Sequence, residues 1–475
     1  MELLIPLSSQ DPRPLYEQIY QYIKDEIRCG NLKPKRQLPS SRELARNLKV
    51  SRSTTQLAYE QLVSEGYLTA VPRKGYFSAE IDGILPPVSE HTAREKEEGP
   101  GIPAAEKWTV DFSPRGIDLD SFPFSTWRKI SRAVLKEEEK EMFLKGDPQG
   151  DLSLREAIRD YLHSARGVNC RADQIIIGAG NEYLLMLLSQ LLGRDAGIAI
   201  EDPTYVQAYR VLSGLGHMVY PVAMDENGMK VTELSGLPVR VAYVMPSHQF
   251  PTGIVMPVRR RQELLAWAKK ESGRYLIEDD YDSEFRYKGK PIPALQGMDT
   301  DGCVIYMGTF SKAIAPAIRV GYLVLPPSLL EKYRNEAMFY SSTVSRVDQR
   351  ILAQFIGGGY FERHLNRMRE IYKGKHDILL AELKPLENRF IIEGEYAGLH
   401  VLLTCREKIA ESCLVRAAEN AGVRVYGFSG FYIKKEQARE NGTIVLGYAR
   451  LGEDTIREGA RLLIRAMDEL KEDPV

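Results

Sequence analysis

The chain has 475 residues, of which 43% are hydrophobic and 27% charged, and its formal net charge is −1. This length exceeds what one hydrophobic core usually organises, and the composition excludes a disordered, fibrous or polyelectrolyte chain. No run approaches ~18 apolar residues, so a membrane-spanning helix is not expected.

The first 80 residues predict three helices followed by a hairpin with a basic tip. Apolar residues recur at helical spacing over 15–27, Ser40 is suited to cap a second helix, and a third helix is predicted over 53–65. Two short strands are predicted at 67–71 and 75–78. This order of elements predicts a winged helix-turn-helix domain over residues 1–80.

This predicted domain is also the basic part of the chain. Residues 1–80 hold 12 Lys/Arg and 9 Asp/Glu, a net charge of +3, whereas the rest of the chain has a net charge of −4. A basic patch suits phosphate groups, although a solvated charged face is the commoner interpretation of a patch this small.

The candidate DNA contacts lie at helix starts and at the hairpin tip. Hydroxyls and N–H groups at a helix start suit phosphate oxygens, an arginine there can reach guanine, and a basic tip can enter the minor groove. On the helix pattern alone, a protein-interaction module is an equal alternative. The residues assigned to DNA are Arg42, Ser51, Arg52, Ser53, Thr54, Thr55, Arg73, Lys74 and Gly75.

Three strings in this region resemble the GntR family of bacterial winged-helix regulators. They are LPSSRELA at 38–45, VSRST at 50–54 and GYL at 66–68, and the likeness covers residues 14–78. The resemblance implies that this domain binds operator DNA as part of a dimer.

Residues 81–106 are rich in proline, glycine and mixed charges without an apolar period, which predicts a flexible linker. Over 107–475, strand-like runs alternate with helical runs. This alternation predicts a doubly wound α/β domain with a mostly parallel sheet. The strand-like runs lie at 174–177, 197–200, 239–244, 275–277 and 303–306.

Lys312 ends the string MGTFSK, directly after the predicted strand at 303–306, and Arg319 follows a short step later. Partial burial would lower the pKa of this lysine and free its lone pair for a Schiff base with an aldehyde. The neighbouring hydroxyls and Arg319 suit a phosphate. Together these features point to pyridoxal 5'-phosphate (PLP) as a cofactor.

Other segments add to this candidate site. Residues 174–181 predict a strand, a glycine turn and a helix start whose free N–H groups can hold a phosphate. Tyr205 could stack on a pyridine ring, although core packing is the commoner interpretation of a lone tyrosine. Asp279, at the end of a predicted strand, suits the pyridine nitrogen, and Tyr281 suits the ring oxygen. The two remaining acids of this string are predicted to be solvated: Asp280 and Asp282.

Several strings, taken in order, resemble the fold-type I aminotransferases over roughly residues 108–470. They are GAG at 178–180, DPTY at 202–205, SHQFPTG at 247–253, EDDY at 278–281, and SK at 311–312 with Arg319. A GntR-like domain on such a body resembles the MocR/GabR family of PLP-dependent transcriptional regulators. The resemblance implies a smaller C-terminal subdomain and a head-to-tail homodimer, with each DNA domain over the partner's body.

The resemblance also implies residue roles. Lys312 would form the Schiff base with PLP, Asp279 would face the ring nitrogen, Tyr281 the ring oxygen, and Tyr205 would stack on the ring. An amino compound would displace Lys312 from this aldimine and shift the body between two arrangements. The residues implied around the phosphate are Ala179, Gly180, Thr309, Ser311 and Arg319.

The sequence departs from the family at three positions. Aminotransferases carry Asn directly before Pro-Thr-Gly, and here the residue is Phe250, which cannot bond the ring oxygen. The branch that senses γ-aminobutyrate holds its carboxylate with arginines, and the matching residues here are Gln207 and Gly430. We therefore expect a different effector and at most residual transamination. Arg115 is a candidate substitute anchor, although a solvated or interface arginine is the commoner interpretation.

Two other functions stay open: a genuine aminotransferase with a vestigial DNA domain, and a regulator whose effector is PLP itself. The five cysteines are scattered without metal-ligand spacing, and the first residues lack the pattern of a signal peptide. We therefore expect a cytoplasmic protein without a metal site.

Overall fold

The computed structural model describes residues 3, 5–8, 11–80, 108–287, 289, 292–394, 397–437 and 442–470. The chain separates into two compact units, Met1–Ala104 and Ala105–Val475. The predicted linker at 81–106 lies outside the described residues. No helix in the described ranges is long and apolar enough to cross a membrane.

The smaller unit contains the three predicted helices and the predicted hairpin. Its core is formed by apolar side chains such as Ile19, Ile23 and Leu62, which are fully buried. The side chain of Ser40 caps the second helix by accepting a hydrogen bond from the backbone N–H of Glu43, as predicted. The two strands pair in antiparallel register. The elements are α1 Leu15–Arg28, α2 Ser41–Leu48, α3 Arg52–Ser64, β1 Leu68–Val71 and β2 Gly75–Ser78.

The larger unit alternates strands and helices, as its apolar runs predict. Its helices are α4 Phe124–Val134, α5 Leu152–Arg166, α6 Asn181–Leu192, α7 Val206–Gly214, α8 Val231–Leu234, α9 Val258–Lys269, α10 Pro327–Glu336, α11 Arg346–Gly357, α12 Tyr360–Leu383, α13 Glu411–Asn420 and α14 Glu453–Asp468. Its strands are β3 Val110–Asp111, β4 Ile175–Gly178, β5 Ile198–Asp202, β6 Val219–Asp225, β7 Gly228–Met229, β8 Val241–Val244, β9 Tyr275–Asp280, β10 Val304–Thr309, β11 Gly321–Val324, β12 Phe390–Glu393, β13 His400–Cys405, β14 Val423–Arg424, β15 Tyr426–Gly427 and β16 Thr443–Gly447.

The central sheet has the strand order β4-β11-β10-β9-β8-β5-β6-β7. It is parallel from β10 to β6 and antiparallel at its margins, where β11, β4 and β7 join. Helices cover both faces, because alternate residues of one strand enter different cores. In β8, Val241 and Tyr243 pack with residues of α6 and α7, whereas Ala242 and Val244 pack with residues of α9. The predicted doubly wound, mostly parallel sheet is confirmed.

A second sheet, β12-β13-β16-β15, forms the smaller C-terminal part of this unit. Its apolar face packs with α13 and α14 in a separate core. The functional consequence of the fold lies in the first sheet. Because β5, β8, β9 and β10 run in parallel, their carboxyl ends meet at one edge, which is where open α/β sheets bind ligands.

Candidate functional site

A cavity of about 530 Å³ opens at this edge of the central sheet. It brings together most of the residues that the sequence assigns to a cofactor or an effector. Those on its wall are Arg115, Tyr205, Gln207, Asp279, Tyr281, Thr309, Ser311, Lys312, Arg319 and Gly430.

Lys312 follows β10 and is half-buried on the cavity wall. Its Nζ donates hydrogen bonds to the backbone carbonyls of Arg115, at 2.9 Å, and Pro114, at 3.1 Å. Burial lowers the pKa of Lys312 to about 8; Asp282 opposes this shift and the charge of Arg115 adds to it. A lysine with this pKa is neutral in about one molecule in ten at pH 7, which makes it a usable nucleophile.

Asp279 lies near the end of β9 and is buried. One carboxylate oxygen, Oδ2, accepts a hydrogen bond from the hydroxyl of Tyr243. The other, Oδ1, is buried without a hydrogen-bond partner in the described part of the chain. Burial raises the pKa of Asp279 to about 7 against the effect of Tyr243, and Asp280 and Asp282 raise it further. A buried acceptor without a donor is costly, so this oxygen suits a ligand that brings an N–H group.

Hydroxyls and a guanidinium also lie on the cavity wall. Thr309 Oγ1 lies 2.8 Å from Ser311 Oγ, and the backbone N–H of Ser311 donates to Thr309 Oγ1 at 3.1 Å. Arg319 Nη2 donates to Glu182 at 2.8 Å and to the carbonyl of Ala179 at 3.2 Å. Gly180 has a φ of +88°, and a Cβ there would lie 2.7 Å from Arg319 Nη2. The turn therefore needs glycine to leave room for this arginine.

The structure differs from the prediction that the glycine turn offers free N–H groups to a phosphate. The N–H of Ala179 donates to Thr343 Oγ1 at 3.0 Å, and the N–H of Gly180 donates to the carbonyl of Gly178 at 2.9 Å. These two N–H groups are already bonded within the protein because the turn folds back on itself. Ala179 and Gly180 therefore shape the surroundings of Arg319 and do not offer free N–H groups.

The prediction that Asp280 and Asp282 are solvated is wrong, since both are buried. Asp280 accepts hydrogen bonds from Arg166, at 2.8 Å, and from the hydroxyl of Tyr306. Asp282 Oδ1 lies 2.9 Å from His248 Nδ1. The cause is that β9 is a central strand covered on both faces, so acids at its end are buried and need charged or hydroxyl partners.

His248 contacts the wall residue Tyr281, although it is not among the described residues that line the cavity, and the sequence reasoning assigned it no role. Its ring stacks on Tyr281 with centroids 6.3 Å apart, and the hydroxyl of Tyr281 lies 3.5 Å from His248 Nδ1. Phe250 is buried and meets Tyr205, Tyr281 and Phe431 edge to face. The position at which aminotransferases place a polar amide is thus part of an aromatic wall and offers no hydrogen bond.

The effector side of the cavity holds two arginines. Arg115 and Arg210 both lie on the wall with exposed side chains, and within the described residues neither side chain has an ion-pair partner. Arg210 was missed by the sequence reasoning, although it lies on α7 one helical turn after Gln207 and therefore on the same face. At Gly430 a Cβ would meet open space, so no side chain fills this part of the cavity.

In the smaller unit, the predicted basic contacts lie at the surface. Arg42, Arg52, Arg73 and Lys74 are exposed, and none has an ion-pair partner among the residues that the structure describes. A positive φ of 64° at Arg73 shapes the hairpin tip, together with Gly75 at 105°. Four basic side chains without acidic partners are free to meet phosphates.

The hydroxyl residues at the start of α3 have different surroundings. Ser51 caps this helix by accepting a hydrogen bond from the N–H of Thr54 at 3.1 Å, and Ser53 is exposed beside it. Thr55 departs from the expectation because it is fully buried. Its hydroxyl donates to the carbonyls of Ser41, at 2.8 Å, and Arg52, at 3.0 Å, so it joins α2 to α3.

Known families match both units of the chain. Residues 15–77 match the bacterial regulatory proteins of the gntR family, and residues 119–461 match aminotransferase class I and II. Curated relatives include the uncharacterized HTH-type transcriptional regulator YhdI of Bacillus subtilis (strain 168), which is 39% identical over 98% of both chains. The pyridoxine biosynthesis regulator PdxR of Corynebacterium glutamicum is 32% identical over 96% of both chains. The probable rhizopine catabolism regulatory protein MocR of Rhizobium meliloti is 31% identical over 95% of this chain and 93% of its own.

A solved structure resembles the larger unit. The multiple substrate aminotransferase from Thermococcus profundus matches with a TM-score of 0.67 and 26% identity, over 77% of this chain and 92% of its own. This likeness and the two family matches together explain why one chain contains both a sheet-edge cavity with a half-buried lysine and a winged helix-turn-helix.

Proposed function

Because the chain belongs to the MocR/GabR family of transcriptional regulators, we propose that it binds operator DNA through residues 1–80 and senses an amino compound at Lys312 with the help of PLP. The observation that carries this proposal is the meeting of Lys312 and the unpartnered oxygen of Asp279 in one cavity. In a homodimer, two such DNA domains would read two operator half-sites.

The residues present fit PLP. Asp279 Oδ1 lacks the donor that a protonated pyridine nitrogen brings, and Tyr205 and Phe250 offer flat walls for a ring. Ser311, Thr309 and Arg319 would hold the phosphate. When bound, PLP supplies an aldehyde to which Lys312 or the amine of an effector can attach reversibly.

Lys312 also holds a segment of the chain in place. Its Nζ bonds the carbonyls of Pro114 and Arg115, so a change of partner at Lys312 removes both hydrogen bonds from this segment. The segment begins the described part of the larger unit, a few residues after the predicted linker at 81–106. With PLP bound, Nζ would be held by the aldehyde, and an amine that displaces Lys312 would free Nζ to bond these two carbonyls again. Renewed anchoring of residues 114–115 is therefore our proposed first step of signalling toward the DNA domain.

The effector is proposed to differ from γ-aminobutyrate. Neither Gln207 nor Gly430 can pair with a carboxylate in the way that an arginine does. Among the described residues of the wall, Arg115 and Arg210 are cations without an ion-pair partner, and Arg210 lies one helical turn beyond Gln207. We therefore place the anionic group of the effector farther along α7, near the exposed Arg210.

The test compares the wild type with Lys312→Ala. After addition of PLP, the wild type is expected to develop the absorbance band of a lysine-bound cofactor, and candidate amines should change both this band and operator affinity. The variant should lose the band and the response. Lys332→Ala, a half-exposed lysine on α10, is the matched control. An unchanged band and an unchanged amine response in Lys312→Ala would refute the proposal.

A genuine aminotransferase is the second candidate, and the likeness to a solved aminotransferase favours it. Phe250 weighs against it because it cannot bond the ring oxygen. A steady-state screen of amino donors with 2-oxo acids separates the two functions. Many turnovers for each protein at ordinary enzyme rates would favour the enzyme, and one turnover or none would favour the sensor.

A further inference from the structure

Glu182 pairs with Arg319, the cation that the proposed PLP site assigns to the phosphate. It is in the first turn of α6, on the wall of the cavity, and its Oε2 accepts a hydrogen bond from Arg319 Nη2 at 2.8 Å. Burial alone would raise the pKa of Glu182, but Arg319 and the backbone N–H of Glu182 outweigh this effect and lower the pKa. This carboxylate therefore already uses a guanidinium and a helix N-terminal N–H, the two kinds of donor that bind phosphate.

Two of the nearby backbone donors are already used. The N–H groups of Ala179 and Gly180 are bonded within the protein. Thr309 and Ser311 provide hydroxyls but no charge. Within the described residues, the ion-pair partner of Arg319 is Glu182. A phosphate that arrives here must share Arg319 with a carboxylate, and the two anions repel each other.

We propose that Glu182 competes with the cofactor phosphate for Arg319 and thereby weakens the binding of the phosphorylated cofactor. This inference rests on the proposed PLP site. This competition raises the concentration of PLP at which the site is half-occupied. It gives the chain a means to respond to the cofactor itself as well as to an amine. The competition would act on the phosphate alone, since Lys312 would hold the aldehyde end of the cofactor.

The test measures the affinity of the cofactor-free protein for PLP and for pyridoxal, which has the same ring and aldehyde but no phosphate. Both are titrated by the absorbance band formed with Lys312. Glu182→Gln is expected to bind PLP about fivefold more tightly, the size of an exposed charge interaction, with the affinity for pyridoxal unchanged. Glu182→Ala should behave in the same way and serves as a second variant.

Glu331→Gln, an exposed position on α10, makes the same change in net charge and should leave the ratio of the two affinities as in the wild type. If Glu182→Gln does not raise the affinity for PLP relative to the affinity for pyridoxal, the inference is wrong. Glu182 would then be neutral toward the phosphate or would help Arg319 to bind it. If neither compound gives a band with the wild type, the proposed function fails and this inference fails with it.

Discussion

Lys312 Nζ donates a hydrogen bond of 2.9 Å to the backbone carbonyl of Arg115, while the positive side chain of Arg115 helps to lower the pKa of the same lysine. One residue thus holds the amine in place and also keeps it partly neutral. Asp282 acts in the opposite direction on the pKa of Lys312. The pKa of this amine is therefore lowered mainly by burial and adjusted by two charges of opposite sign.

The first prediction concerns pH. Only the neutral amine attacks an aldehyde, so the rate at which the cofactor band appears should rise about tenfold per pH unit and level off above pH 8. Arg115→Ala should move this midpoint to higher pH, because a charge that disfavours the ammonium is lost. Asp282→Asn should move it to lower pH. Stopped-flow absorbance measures the rates, and midpoints that stay fixed in both variants would contradict the electrostatic account.

The second prediction concerns the stability of the cofactor-free protein. The folded pKa of Asp279 is raised from 3.8 to about 7, so the folded state favours its protonated form. Its ionisation therefore costs nothing below about pH 4, an increasing amount between pH 4 and 7, and the full amount above pH 7. Asp279→Asn removes this cost and should raise the free energy of unfolding at pH 8 by about 1–3 kcal/mol, with little change at pH 4.

Asp279→Asn should also bind PLP more weakly, because an amide is a poor partner for a protonated pyridine nitrogen. Denaturant unfolding of the cofactor-free protein at pH 4 and 8, followed by a PLP titration, measures both effects. Asp120→Asn, an exposed acid, should change neither. Equal stabilisation by Asp279→Asn at both pH values would show that the charge of Asp279 is not the cause.

The sequence allowed the cofactor side of the site to be predicted but not its network of partners. Lys312, Asp279 and Tyr205 follow apolar strands, and the carboxyl ends of parallel strands share one edge, so their meeting follows from local patterns. The partners come from remote segments. Arg166 is 114 residues from Asp280, and Arg319 is 137 residues from Glu182. Such pairs depend on how helices pack on the sheet, which no local pattern specifies.

The third prediction concerns DNA. Arg42, Arg52, Arg73 and Lys74 are exposed and, in the described part of the chain, lack acidic partners. If each neutralises one phosphate, operator affinity should fall steeply with salt, and each Ala variant should reduce the slope of log K against log salt by about 0.9. Fluorescence anisotropy with labelled operator DNA measures the slopes, and Arg194→Ala in the larger unit is the control. A flat salt dependence would contradict this surface.

Thr55 gives a contrasting result in the same assay. Its hydroxyl is buried and joins α2 to α3, so Thr55→Val should lower the stability of the smaller unit by about 1 kcal/mol, because its hydrogen bonds to the carbonyls of Ser41 and Arg52 are lost. Below its melting temperature, the variant should keep the salt slope of the wild type. A smaller slope would mean that Thr55 contacts DNA after all.

The last prediction concerns the length of the effector. Gln207 and Arg210 are three residues apart on α7, so an anchor at Arg210 lies about 4.5 Å farther along the helix axis than one at Gln207. Unbranched ω-amino acids of increasing length, each compared with the alkylamine of equal length, serve as probes through the spectral shift of bound PLP. The wild type should prefer the longer acids over their amines by about tenfold. Arg210→Ala should lose this preference, and Arg194→Ala should keep it.

Gln207→Arg should move the preference toward shorter acids. If the wild type shows no preference for any acid over its amine, Arg210 is not the anchor, even though the amine response itself would still place the sensor at Lys312.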